Sequence, residues 1–209
     1  DPSILKHLNT LYISHCTIHD VSDLANVHKL TLTGCDNMVN MACLNTVHTL
    51  TITNCDNIDI SKIGSGTVHD LTIAYSVIED VSFLGSVHTL TLCDCPYITN
   101  VAALGTVHTL TLDYCDNIMD VSALGTVHTL NMTWCHKITD VSALGTVHKL
   151  FLQSFDNLMD VSALGTVHTL TLDDCPKITD VSALGKVHRL TLRACVNITD
   201  VSTLGTVHI

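Results

Sequence analysis

Positive charge is scarce in this chain. Nine Lys and Arg stand against 20 Asp and Glu, a formal net charge of −11 over 209 residues. Nucleic-acid binding needs clustered Lys and Arg to neutralise phosphates, so no nucleic-acid partner is expected. An anionic membrane surface is disfavoured for the same reason. Charged residues of either sign make up only 14% of the chain, and aromatics 4%. No run of ~18 apolar residues exists, so no membrane insertion is expected. The N-terminal DPSILKHLNT has neither the basic n-region nor the apolar h-region of a secretory leader. It also lacks an initiator Met, so a processed product or a fragment is the expectation, and export stays open. The G-x-S-x-G, phosphate-loop and H-E-x-x-H motifs are all absent. His19 beside Asp20 is a solvent-facing pair without a pocket. No enzyme activity and no cofactor are therefore expected.

What the chain has in abundance is repetition. VSALGTVHTL occupies residues 121–130 and returns letter for letter at 161–170. The Val of each Val-His pair falls at 27, 47, 68, 87, 107, 127, 147, 167, 187 and 207, at an interval of 20 from Val87 onward. Leu8 holds the same phase one repeat earlier. With Val as position 1, the unit reads V-H-T-L-T-L-x-x-C-x-x-I-T-D-V-S-A-L-G-T. Leu at positions 4 and 6, such as Leu110 and Leu112, alternates with Thr at 3 and 5, the period of two of a half-buried strand. The remaining half of the unit is too short for a crossover helix and has room for one 3₁₀ turn.

This pattern resembles the leucine-rich repeat, L-x-x-L-x-L-x-x-N/C-x-L, in its cysteine-containing variety. The unit departs from it in having Val at position 1, Ile at position 12 and only 20 residues. The resemblance covers nearly the whole chain. It implies an α/β-type repeat solenoid, mostly β: right-handed, with one parallel sheet, little or no α-helix and 3₁₀ turns on the convex side. Residues 1–209 form one solenoid in this reading, with ten strand-bearing repeats and a partial repeat at each end. Each repeat buries its apolar side only against its neighbours. Asp1–Leu5 aligns with D-V-S-A-L and the chain stops at Val207-His208-Ile209, so neither end shows a capping unit. Covering by further chain, by a partner or by end-to-end self-association is the expectation.

Several positions repeat because the frame needs them. Position 14 is Asp in Asp120, Asp140, Asp160, Asp180 and Asp200, and Asn in Asn40 and Asn100. Its side chain is expected to accept an amide two or three residues on and cap the turn. The alternative, a calcium ladder, lacks the six or more oxygens that ion wants. Glycine at position 19, as in Gly125, is expected to reverse the chain with positive φ. Cys at position 9, including Cys95, Cys115 and Cys135, is expected to form an inward ladder of thiols donating to backbone carbonyls. Adjacent parallel rungs suit disulfides poorly, and no close C-x₂-C pair for zinc is present. Reduced thiols point to an intracellular, cytoplasmic home, with an extracellular one still open.

Ten of the 14 histidines hold position 2, among them His88, His108 and His128. Rungs ~4.8 Å apart would let their imidazoles stack and bond to the Thr at position 20 or to the next rung. Three readings stay open: a structural corner ladder, a pH switch, and metal binding between rungs. The third suffers because the rungs supply no obvious third and fourth ligands.

Recognition is expected where the repeats differ, at positions 7 and 8. Tyr75, Tyr114 and Trp134 gather there as interface anchors, with Asp94, Asp113, Asp173 and Asp174 giving an acidic field. Phe151 adds an apolar spot and Arg193 a charge. Together they fit a protein partner carrying basic residues around an apolar contact. A structural rod or shell element is the alternative function. A remoter one is ice binding by the T-x-T ranks of Thr89/Thr91, Thr109/Thr111 and Thr169/Thr171. Those ranks are broken by Lys29, Asp70, Asn131, Lys149, Phe151 and Arg189, and Thr suits exposed strands in any case.

Overall fold

The structure is a computed structural model that describes residues 8–63 and 66–205. The predicted features of Asp1–Leu5 and of Val207, His208 and Ile209 lie outside those residues. Ten five-residue strands form one parallel sheet in strict chain order. They are β1 (Thr10–Ser14), β2 (Lys29–Thr33), β3 (Thr49–Thr53), β4 (Asp70–Ala74), β5 (Thr89–Cys93), β6 (Thr109–Asp113), β7 (Thr129–Thr133), β8 (Lys149–Gln153), β9 (Thr169–Asp173) and β10 (Arg189–Arg193). Each rung returns through a short 3₁₀ segment such as Ser122–Thr126 or Ser142–Thr146. Among the described residues there is no α-helix, and no helix is long and apolar enough to cross a membrane.

Strand alternation follows the sequence pattern. Positions 4 and 6 are buried and positions 3, 5 and 7 half-covered, as in Thr109–Asp113. The half-cover comes from identical neighbours one rung away: Thr89 pairs with Thr109, and Thr91 with Thr111. Val, Leu and Ile at positions 1, 4, 6, 12, 15 and 18 fill a continuous core, with Val127, Leu130, Ile138, Val141 and Leu144 all at 1% exposure or less. Phe155 takes the place of Cys at position 9 and is fully buried. Register survives the irregular repeats. Thr49 pairs with Asp70 and Asp70 with Thr89, although the intervals are 21 and 19 residues.

The caps form as expected. Oδ1 of Asp120, Asp140, Asp160, Asp180 and Asp200 each accepts the amide of the Ser two residues on, at 2.8 Å. Asn100 does the same with the Ala102 amide at 2.9 Å. Asn40 departs from the pattern. Its backbone is left-handed at φ 61°, and its side-chain amide donates instead to Asp20 of the previous rung at 3.0 Å.

The glycine at position 19 does not work as expected. Among the described residues Gly34 alone has a positive-φ glycine backbone; Gly85 sits at φ −62° and Gly125 lies inside a 3₁₀ segment. The constraint is close approach rather than conformation. A Cβ on Gly125 would overlap the Ala143 carbonyl oxygen of the next rung, and Gly105 meets Ala123 in the same way. Position 20 supports the contact: Oγ1 of Thr126 donates to the Gly105 carbonyl at 2.6 Å, and that of Thr146 to the Gly125 carbonyl at 2.7 Å. Glycine thus sets the close approach of the regular rungs from Gly85 on; in the earlier repeats Ala25 and Asn45 hold this position, and Thr46 and Thr67 still donate to their carbonyls. Gly125→Ala is expected to cost about 1–3 kcal/mol by overpacking. Gly205→Ala, where nothing lies within 4 Å, is expected to stay within about 0.5 kcal/mol of wild type. Urea unfolding of both variants checks the pair.

Candidate functional site

The inward thiols behave as a frame element. Cys95, Cys115 and Cys135 are fully buried, and each donates to a carbonyl of the previous rung. For Cys115 that partner is the Leu92 carbonyl at 3.7 Å. Burial pushes the Cys95 thiol up to about 11 and the Cys135 thiol up to about 12, away from the reactive thiolate. All ten cysteines are free.

The histidines stack. Nine imidazoles from His28 to His188 form an unbroken row with ring centroids 4.3–4.9 Å apart. Their hydrogen bonds differ from the expectation. Nδ1 of His128 and of His168 lies 3.2 Å from the Thr at position 3 of its own repeat, while the Thr at position 20 is committed to the glycine carbonyl. The main-chain carbonyls behind the rings carry the rungs: that of His28 accepts the amides of both His48 and Thr49, at 3.1 and 3.0 Å. Threonines at position 3 therefore serve the imidazole row, which ties up one rank of the T-x-T array.

The variable edge is built by an unusual backbone. Position 8 is left-handed in every described repeat, at φ 53° in Tyr75, 49° in Asp94, 51° in Tyr114, 54° in Trp134 and 53° in Asp174. Bulky residues rarely take that conformation. It is held here because the position 8 amide donates to the next rung: Tyr114 to the Thr133 carbonyl at 3.0 Å and Trp134 to the Gln153 carbonyl at 3.1 Å. The turn swings the side chain out at the margin of the sheet.

Tyr114 and Trp134 meet there. Their rings lie parallel, 5.5 Å apart at 6°. His136 sits edge-on to Trp134 at 5.4 Å and 3.2 Å from Asp156. Tyr75 is exposed but separated from Tyr114 by the rung of Asp94, so it is not part of this cluster. Asp113 accepts from the Cys93 thiol at 3.6 Å through Oδ2, while its Oδ1 and the Oδ1 of Asp116 are buried without a hydrogen-bond partner among the described residues. Asp173 is only 7% exposed and lies 3.5 Å from Arg193. Asp173 therefore faces its neighbour rather than solvent, while the Arg193 side chain stays exposed. Asp174 is exposed and accepts from Ser154 at 3.2 Å; Phe151 is half-buried beside Asn131.

Two features escaped the sequence reading. His136, Asp116 and Asp156 at position 10 join the aromatic edge, which positions 7 and 8 alone do not define. Position 11 forms a polar ladder: Lys137 Nζ donates to Asn117 Oδ1 at 2.5 Å, Asn157 to the His136 carbonyl at 3.2 Å, and Lys177 to Asn157 at 2.7 Å. The alternation Asn117, Lys137, Asn157, Lys177, Asn197 was its visible signal.

No family model and no curated protein matches the chain. Solved structures do. One is an internalin, InlF, from Listeria monocytogenes, with TM-score 0.56 and 16% identity over 98% of this chain and 86% of that one. A second is the leucine-rich repeat domain of the type III effector XopL, with TM-score 0.57 and 13% identity over 91% and 79%. A third is the functional domain of InlJ from Listeria monocytogenes, described as including a cysteine ladder, with TM-score 0.55 and 18% identity. The match covers 87% of this chain but 47% of that domain. At these identities the likeness is one of fold.

The two ladders fix how stability depends on pH. Amide and hydroxyl bonds from Ser hold the Asp120, Asp140, Asp160 and Asp180 carboxyls below the usual range. Bonds from Asn40 and Ser22 hold Asp20 at about 2. Partial desolvation, then the charge of neighbouring imidazoles and of Lys149, lowers His128. His168 is lowered in the same way, with Arg189 added. Every one of these groups binds its proton less readily when folded, so stability is full above the unfolded value and falls with acidification. Urea midpoints are expected to hold above pH ~6.5, to drop as the imidazoles charge, and to drop again below pH ~4. A midpoint independent of pH from ~8 to ~5 would contradict the histidine part.

Proposed function

We propose that this leucine-rich-repeat solenoid is a non-enzymatic scaffold that binds a protein partner along one edge of its sheet, centred on Tyr114 and Trp134. The observation that carries the reading is the parallel Tyr114–Trp134 stack at the sheet margin, flanked by the half-buried carboxylates of Asp113 and Asp116. An Arg or Lys of a partner suits both the face of an aromatic ring and the negative charge beside it. Asp94 and Asp174 extend the negative field along the same edge, and Tyr75 and Phe151 offer apolar contacts to a longer ligand. A stiff frame supports binding too, because little side-chain freedom remains to be lost. The free buried thiols support a reducing compartment.

Tyr114→Ala/Trp134→Ala is expected to weaken capture of the scaffold's partner by about 2 kcal/mol or more, some thirtyfold. The remaining binding should stay sensitive to added salt, since the carboxylates of Asp94, Asp113 and Asp174 are unchanged. A pull-down in which every protein retained by wild type is retained equally by the double variant would sink the edge site.

A further inference from the structure

The imidazole row is uniform except in one place. Position 3 is Thr in most repeats and cationic in Lys29, Lys149 and Arg189; only in Asp70 is it a carboxylate. Asp70 Oδ1 lies 2.9 Å from His69 Nδ1, and its Oδ2 accepts from Thr49 Oγ1 at 3.3 Å. That Thr49 oxygen is in turn 3.4 Å from His48 Nδ1. The Nδ1 edges of two imidazoles on successive rungs therefore converge on one carboxylate. One ligand atom from each of the three side chains lies within 4.8 Å of the others, and this is the only such grouping among the described residues.

We propose that His48, His69 and Asp70 bind one divalent transition-metal ion of zinc(II) character. Imidazole nitrogen and carboxylate oxygen are the donors such an ion prefers over hard-cation partners. Bonds of ~2.0–2.2 Å in a tetrahedral site put neighbouring donors roughly 3.3 Å apart. The His69–Asp70 pair already stands near that separation, with a proton where the ion would go. His48 is exposed and one rung away, its ring 4.9 Å from that of His69 and tilted by 12°. Rotation of that side chain closes the third bond without moving the backbone. His88 stacks on the other side of His69 at 4.3 Å and limits its freedom. Other rungs present the same imidazole pairs, but with neutral Thr or repelling Lys and Arg beside them, so the ion selects this rung. Three protein ligands leave a fourth position for water or for a ligand atom of a partner. The ion would also clamp β3 to β4 across the 21-residue repeat.

The test is calorimetric titration of untagged, reduced, chelator-treated protein with zinc chloride. Wild type should take up one equivalent. Asp70→Thr restores the side chain of the neighbouring rungs, so the fold is kept; it should weaken binding at least ~tenfold, as should His69→Gln. His148→Gln should bind as wild type does. Absence of a one-equivalent site overturns the proposal. So does wild-type affinity in Asp70→Thr, which would assign the ion to the imidazole row at large or to the thiols.

Discussion

Each rung is held by the rung beside it. Five residues of every strand pair with their equivalents in register, and this one constraint places like above like along the molecule. A threonine covers a threonine, an imidazole stacks on an imidazole, and a thiol reaches a carbonyl one rung back. The irregular repeats show how strongly the register is kept. The extra residue between Val47 and Val68 and the missing one between Val68 and Val87 are absorbed away from the sheet, and Asp70 still stands between Thr49 and Thr89. A slip on the sheet side would turn Leu50 and Ile52 outward. A change in the return segment costs only local contacts.

The frame leaves little room on the far side. The glycine contact and the threonine bond to the neighbouring glycine carbonyl fix how closely the rungs approach there. On the sheet side the left-handed residue ends each strand and gives its amide to the next rung. Between those fixed points the residues that vary cannot alter the path of the chain. They change only what is displayed. Tyr114 and Trp134 can therefore lie parallel on adjacent rungs with no element of their own to support them.

Much of this was legible. The ten strands, the 3₁₀ returns, the Asp caps and the inward thiols all follow from a period of two set inside a period of 20. What was missed has physical reasons. Glycine signals both positive φ and close approach, and a sequence does not say which; Gly125 needs the second. Tyr and Trp carry no signal for a left-handed backbone, so position 8 read as an ordinary loop. Asp173 and Arg193 looked like independent surface charges because pairing across rungs becomes visible only once register is known. Asp70 read as a flaw in a threonine rank, and only the stack of His48 on His69 gives it partners.

The account rests on the aromatic edge being ordered before any partner arrives. Native-state hydrogen exchange tests this directly through the amides of Tyr114 and Trp134, each bonded to the next rung. They should exchange as slowly as the strand amides of Thr129 and Lys149, by opening of the rungs themselves. Exchange as fast as that of an unbonded surface loop would mean that the edge is not built into the frame, and the central claim would fail.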